Sequence, residues 1–200
     1  MTQEVKPKKK KKGRAGIIIF NIYFWLFFGC VTTIIVFGVL DERNEYKYPL
    51  FGFRMSVVSN PSMETVNPVN EAYITADMKR VAVNDTIFTQ NYGSFEDIQV
   101  YDIATYYKNG ELICNRIIDK YENEQGQFLT FRGDANNTSD APVKYEQVRG
   151  KVVNIMSHIG PVISFLKSIW GKIIIFSVFI LSYIGSILLF KRKRRYYSNY

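Results

Sequence analysis

The sequence predicts a mainly β fold, an antiparallel β-rich external domain flanked by two transmembrane helices. Three observations carry that expectation. Ala15 to Leu40 is 26 residues without a charge, and Ile173 to Phe190 is 18 more. Between them β-branched and aromatic residues recur at short spacing, broken by turn signals. A helix needs about 20 apolar residues to cross a bilayer core, with a lower limit of about 17, so both runs are long enough. At 200 residues the chain has room for one modest domain between the spans and none for a large multidomain enzyme.

The charge is segregated as sharply as the hydropathy. The net charge is +8, of which the first 14 residues supply +6 and Lys191 to Arg195 supply +5, leaving 8 − 11 = −3 for the middle. A middle without a positive field excludes a nucleic-acid partner, since phosphates are neutralised by clustered Lys and Arg. Basic clusters beside apolar spans stay on the cytoplasmic side. The expected organisation is therefore a basic cytoplasmic tail (1–14), a span (15–40), an external domain (41–172), a second span (173–190) and a basic cytoplasmic tail (191–200). The tails can also touch anionic lipid headgroups, which makes the bilayer itself a partner. A cleaved secretory signal has an apolar region of about 7 to 15 residues, so the first span reads as an uncleaved anchor.

Taken in order, Arg54 to Ser59 reads as the first strand. Glu71 to Val81 is the one stretch with a helix-length amphipathic pattern, and Thr86 to Gln90 is the next strand. Lys108-Asn109-Gly110-Glu111 is the clearest turn, because Asn-Gly favours the two-residue type I′ hairpin. Centring it on Asn109 and Gly110 pairs Tyr107 with Leu112, Thr105 with Cys114 and Ala104 with Asn115. A second return at Glu122 to Gly126 feeds Gln127 to Arg132, and Val148 to Ile155 is a further strand. Ile159 to Leu166 is an apolar stretch next to the membrane, where Pro161 disfavours one unbroken helix back to His158. Part of the β domain is expected to rest on the bilayer surface, with Trp170 as an interfacial anchor.

Little of the usual site chemistry is present. Cys30 falls in the first span and Cys114 in the external part, so no disulfide joins them, and Leu112-Ile113-Cys114 reads as a small buried residue in a strand. One His and two Cys make a zinc site of the usual ligands improbable, and no cofactor is expected. Asn-x-Ser/Thr triplets begin at Asn84, Asn136 and Asn137 and matter only in a glycosylating compartment. In Ser59-Asn60-Pro61-Ser62-Met63-Glu64, Pro61 restrains its neighbours and can present Ser62 at a strand-to-loop transition. Further on come Leu112-Ile113-Cys114-Asn115-Arg116-Ile117-Ile118 and Gly133-Asp134-Ala135-Asn136-Asn137-Thr138-Ser139-Asp140.

This ordered set resembles the type I signal peptidases, in the endoplasmic-reticulum-like branch also found in bacteria and archaea. There a Ser-Met box supplies the nucleophile, an apolar strand carries His-Arg or Lys-Arg, and a Gly-Asp-x-Asn-Asn-x-x-Asp box follows. The resemblance covers about Val57 to Val153 together with the anchor before it and the span after it. It implies an external domain of signal peptidase type and a serine endopeptidase that cuts signal peptides from secretory preproteins. With the topology read from the basic clusters, the expected location is the plasma membrane of a bacterium, with both termini cytoplasmic. By resemblance Ser62 is the nucleophile, Met63 and Arg116 are supporting residues, and one of Asp134 and Asp140 orients the base.

One position departs from the family pattern: Asn115 stands where the base belongs. A serine hydroxyl is a weak nucleophile until a neighbour takes its proton, and a side-chain amide has no proton-accepting pKa near neutrality. On a regular strand Lys120, five residues from Asn115, faces away, while Asp119 shares the face but lies roughly 13 Å along. His158 near the second span, or Lys79 or Lys144 from distant loops, are the remaining bases. Three readings stay open: a weakened signal peptidase, a non-catalytic pseudopeptidase that binds secreted or surface proteins and assists their assembly, and a membrane-anchored β-domain with neither role.

Overall fold

The computed structural model describes residues 12–75 and 77–198, so most of the N-terminal tail (1–11) and the last two residues of the C-terminal one lie outside the described residues. The chain divides into two compact units, one made of the chain up to Ile34 with that from Ile169 onward, the other being Ile35–Ser168.

The first unit is helical. It holds most of α1 (Lys12–Arg43) and all of a second long helix, Ile169–Ser198. Phe24 and Phe28 of α1 meet Phe179 with ring centroids 5.5 and 4.4 Å apart, and Trp25 meets Tyr183 at 5.8 Å. Edge-to-face packing of this kind adds about 0.5–1.5 kcal/mol per pair beyond burial. Within these helices Ile18–Arg43 and Ile169–Leu188 are long and apolar enough to cross a membrane, and almost none of their side chains are buried. The second begins earlier than the charge-free run because Lys172 stands inside it.

The other unit is one seven-strand antiparallel sheet. Its strands are β1 (Phe53–Val57), β2 (Thr86–Gln90), β3 (Ile103–Lys108), β4 (Glu111–Asn123), β5 (Gly126–Arg132), β6 (Val143–Lys144) and β7 (Val148–Met156), in spatial order β1-β2-β7-β3-β4-β5-β6. α2 (Gly160–Lys167) follows the sheet, with Pro161 in its first turn where its missing N–H costs nothing. The helix Ile169–Ser198 is then α3.

The Asn109-Gly110 hairpin has the expected register, with Tyr107 opposite Leu112, Thr105 opposite Cys114 and Ala104 opposite Asn115. Asn109 and Gly110 adopt φ of 54° and 90°, the left-handed pair that a type I′ turn requires. Two details differ from expectation. Glu71 to Val81 forms turns rather than a helix among its described residues, since the side chain of Asn67 caps the preceding 3-10 turn and Asn70 anchors the segment elsewhere. β4 runs on to Asn123 and carries a bulge at Ile118, between Ile117 paired with Phe131 and Asp119 paired with Thr130. A bulge inverts the alternation beyond it. Lys120, opposite buried Leu129, therefore shares the face of Ile117 and Asn115, and exposed Asp119 turns away, which reverses the assignment made for a regular strand.

Two apolar clusters hold the sheet. One contains Ala104, Tyr106, Ile117, Leu129 and Phe131, the other Val58, Met63, Val81, Ile87, Ile103 and Val152. Burying a side chain such as Met63 contributes about 1.5–3 kcal/mol. The last turn of α1 is tied to β1 by a buried pair, Arg54 Nε donating to Asp41 Oδ2 at 2.6 Å.

Candidate active site

Ser62 is placed by its neighbours. Pro61–Met63 is a single 3-10 turn in which Asn60 is the cap, its side-chain oxygen accepting the Ser62 N–H at 2.9 Å. Proline at the first position sets φ for the turn, and Met63 drives into the core beneath it. The Gly133 to Asp140 loop closes from the other side. Ala135 N donates to Ser62 O at 2.8 Å, and Asp134 N donates to the Met63 sulfur at 3.4 Å.

Gly133 is required by this approach, since a Cβ there would stand 2.7 Å from both the Cβ and the carbonyl oxygen of Ser62. Gly133→Ala is expected to displace the Ser62 turn and cost roughly 1–3 kcal/mol, the range for overpacking. Urea unfolding of this variant beside the parent measures the loss.

Asn115 sits in β4 opposite Ala104. It is 3 % exposed and Ser62 is 8 % exposed. Ser62 Oγ donates to Asn115 Oδ1 at 2.8 Å, and Asn115 Nδ2 donates to Asp140 Oδ2 at 2.8 Å. The carboxylate only accepts, so the amide nitrogen must face Asp140 and the amide oxygen must face the serine. The hydroxyl proton is thereby aimed at Asn115. Tyr106 O–H donates to the same Asp140 oxygen at 2.9 Å, and the Tyr106 pKa is raised, first by burial and then by the Asp140 charge. Tyr106 is a member of the set that the sequence reading missed. It lies two residues from Ala104 on β3, and the hairpin register alone would have put it on the face of Asn115.

The two aspartates separate. Asp140 is in line with Asn115 and Ser62. Asp134 faces Arg116, whose Nη2 and Nε donate to its two oxygens at 2.6 and 2.8 Å. Arg116 also donates to the carbonyls of Tyr101 and Lys79, and both partners are almost fully buried. This is a two-pronged pair that fixes the loop rather than a group open to a ligand.

No side chain but Asn115 takes the Ser62 hydroxyl proton among the described residues. Lys120 Nζ is held by the carbonyls of Phe95, Glu96 and Ile98, and Lys79 Nζ by that of Val153. Lys144 is exposed on edge strand β6, and His158 is exposed at the end of β7, its backbone N–H donating to Asp85. Nor do three His, Cys, Asp or Glu side chains gather in metal-binding distance among the described residues.

The arrangement polarises a serine hydroxyl toward an acceptor that can hold a hydrogen bond but not a proton. The Ser62 N–H, the natural donor to a developing oxyanion, is occupied by the exposed Asn60 side chain, which an entering carbonyl must displace.

Cys114, next to this set in β4, is half-buried, and burial first and the Asp134 charge second push its thiol up to about 12. At about pH 8 only about one molecule in ten thousand is then thiolate, and the thiolate is the reactive form. In a Cys30→Ser background, maleimide is expected to leave the folded chain unlabelled and to label one thiol after denaturation.

Compared with known proteins, the chain matches no family model, and no curated protein matches it.

Proposed function

We propose that the chain is a membrane-bound signal peptidase I homologue, a serine endopeptidase that cuts secretory preproteins after their N-terminal signal peptides. The observation that carries this reading is the unbroken line Ser62, Asn115, Asp140, with a hydroxyl, a middle group and a carboxylate in hydrogen-bond contact. That is the layout of nucleophilic serine chemistry. In the proposed scheme Ser62 Oγ attacks the scissile carbonyl carbon, the C–N bond breaks to leave an ester on Ser62, the amine departs with a proton, and water hydrolyses the ester. Asn115 orients the hydroxyl without receiving its proton, which passes to solvent or to the leaving amine. Turnover is therefore about 10² to 10⁴ below that of a site with a positioned base. Two helices able to cross a membrane suit an enzyme whose substrate is still anchored by an apolar segment.

The test is incubation of the purified full chain with a preprotein, beside Ser62→Ala. Slow cleavage after the signal segment that disappears in Ser62→Ala is expected. A second reading, a pseudopeptidase that holds secreted or surface proteins for assembly, is favoured by the chemistry of Asn115 itself. It predicts preprotein binding without cleavage, equal in the parent and in Ser62→Ala, and that result would overturn the enzyme.

A further inference from the structure

Away from Ser62, β7 carries a buried cation without a countercharge. Arg149 is 7 % exposed, and no carboxylate pairs with it among the described residues. Its Nε donates to Glu45 O at 2.6 Å, and Nη1 donates to Glu146 O at 2.6 Å and Val148 O at 3.3 Å, whereas Nη2 makes no hydrogen bond among the described residues. The neighbouring buried guanidinium, Arg54, takes the carboxylate of Asp41 and the carbonyl oxygen of Arg149 itself. Two buried cations thus share one buried anion. Carbonyl dipoles solvate a guanidinium but leave its unit charge uncompensated. Burial first and then the Arg54 charge pull the Arg149 pKa below its ordinary value, and the charges of Glu45 and Asp41 offset this only in part.

Arg149 lines a cavity of about 310 Å³, together with Lys47, Lys108, Tyr107, Glu45 and Glu146. The Tyr107 ring lies 5.8 Å from the guanidinium carbon and forms a wall against it. Lys47 is paired with Glu45 at 2.7 Å but keeps further N–H donors, and Glu146 is exposed, so the cavity holds three cations against two carboxylates and carries a net positive charge. A guanidinium with an open N–H edge, flanked by two flexible ammonium groups, suits a tetrahedral oxyanion better than a planar carboxylate, since the lysines can close on oxygens pointing in different directions. Glu45 and Lys47 stand two and four residues beyond Arg43, the last residue of the first candidate span.

We propose that this cavity is a phosphate-binding site, with Arg149 Nη2 donating to one oxygen and Lys47 and Lys108 to others. The phosphate has two sources, a phosphomonoester lipid headgroup and soluble phosphate. None of these residues belongs to the Ser62 set, so the site stands or falls independently of the peptidase reading.

The experiment uses the full chain in a neutral detergent, titrated with inorganic phosphate against sodium chloride at matched ionic strength, with the unfolding midpoint and the ³¹P line width as readouts. A saturable rise in midpoint with phosphate alone is expected, lost in Arg149→Gln and weakened about tenfold in Lys108→Glu, as for loss of one charge-assisted contact. Lys108 is on the hairpin surface, so that variant keeps the test decisive if Arg149→Gln fails to fold. Doping the micelles with phosphatidic acid, but not with phosphatidylcholine, abolishes the phosphate response if the headgroup is the occupant. An undiminished response in both assigns the site to soluble phosphate. No response to phosphate in undoped micelles, or one unchanged in Lys108→Glu, overturns the proposal.

Discussion

Asn115→His is expected to raise Ser62-dependent cleavage of a preprotein by about 10² to 10⁴, the usual contribution of a positioned general base. The parent already supplies the hydroxyl and the carboxylate on either side of position 115. Asp140 is held by Tyr106 O–H at 2.9 Å and offers its oxygen to position 115, so an imidazole there finds a carboxylate for one ring nitrogen while the other faces Ser62. The Asp140 charge favours the imidazolium that forms as the serine proton is taken. The ring is longer than the amide, and Gly133 presses on Ser62 from behind, so the gain falls toward the lower end of the range if the turn cannot retreat. The pH profile separates a true base from a general improvement. Cleavage by Asn115→His should rise as the imidazole loses its proton, with a midpoint at or above about 6.5 because the neighbouring carboxylate stabilises the charged form. The parent should show no such step. The double variant Ser62→Ala with Asn115→His should be inactive, and activity persisting in it would assign the cut to some other nucleophile.

The parts of this site differed in how far the sequence could reveal them, and the reason in each case is the range of the interaction. The Asn109-Gly110 turn fixes its hairpin locally, through two left-handed residues, so the pairing of Ala104 with Asn115 followed from a few consecutive positions. The bulge at Ile118 could not be read, because nothing in Ile117-Ile118-Asp119 distinguishes a regular strand from one that skips a partner, and with it went the facing of Asp119 and Lys120. The choice between Asp134 and Asp140 depended on how the loop folds back. Asn67 N donates to Asp134 O and Asp140 N to Phe131 O, contacts between segments far apart in the chain or across a turn, which no periodicity encodes. Asn70 adds further links of this kind, its side-chain nitrogen donating to the carbonyls of both Asp134 and Asn136 at 2.8 Å. Where Glu71 to Val81 suggested a helix, these Asn side chains hold turns, since short polar side chains compete with helical hydrogen bonds for the backbone.

Arg116→Met is expected to cost about 3–5 kcal/mol of stability, the penalty for removing one partner of a buried ion pair. Such a loss is a large part of the 5–15 kcal/mol that holds a typical domain. Arg116 is 2 % exposed and Asp134 1 %, so the carboxylate left behind cannot find water without opening the loop. The same guanidinium also donates to the carbonyls of Tyr101 and Lys79, and its loss removes those two links as well. Asp134→Asn is the sharper probe, because the side chain keeps its shape while losing its charge and one acceptor. If Asp134 only anchors the loop, Asp134→Asn should lower the urea midpoint and leave residual cleavage per folded molecule within a few-fold of the parent. Asp140→Asn should do the reverse. Its neighbours are the donors Tyr106 O–H and Asn115 Nδ2, and a terminal amide presented to Asn115 can flip it, turning the Asn115 nitrogen toward Ser62 and undoing the direction of the hydroxyl. The pair of midpoints and rates, read together, tells a scaffold aspartate from an orienting one. A folded, inactive Asp134→Asn beside a fully active Asp140→Asn would exchange their roles.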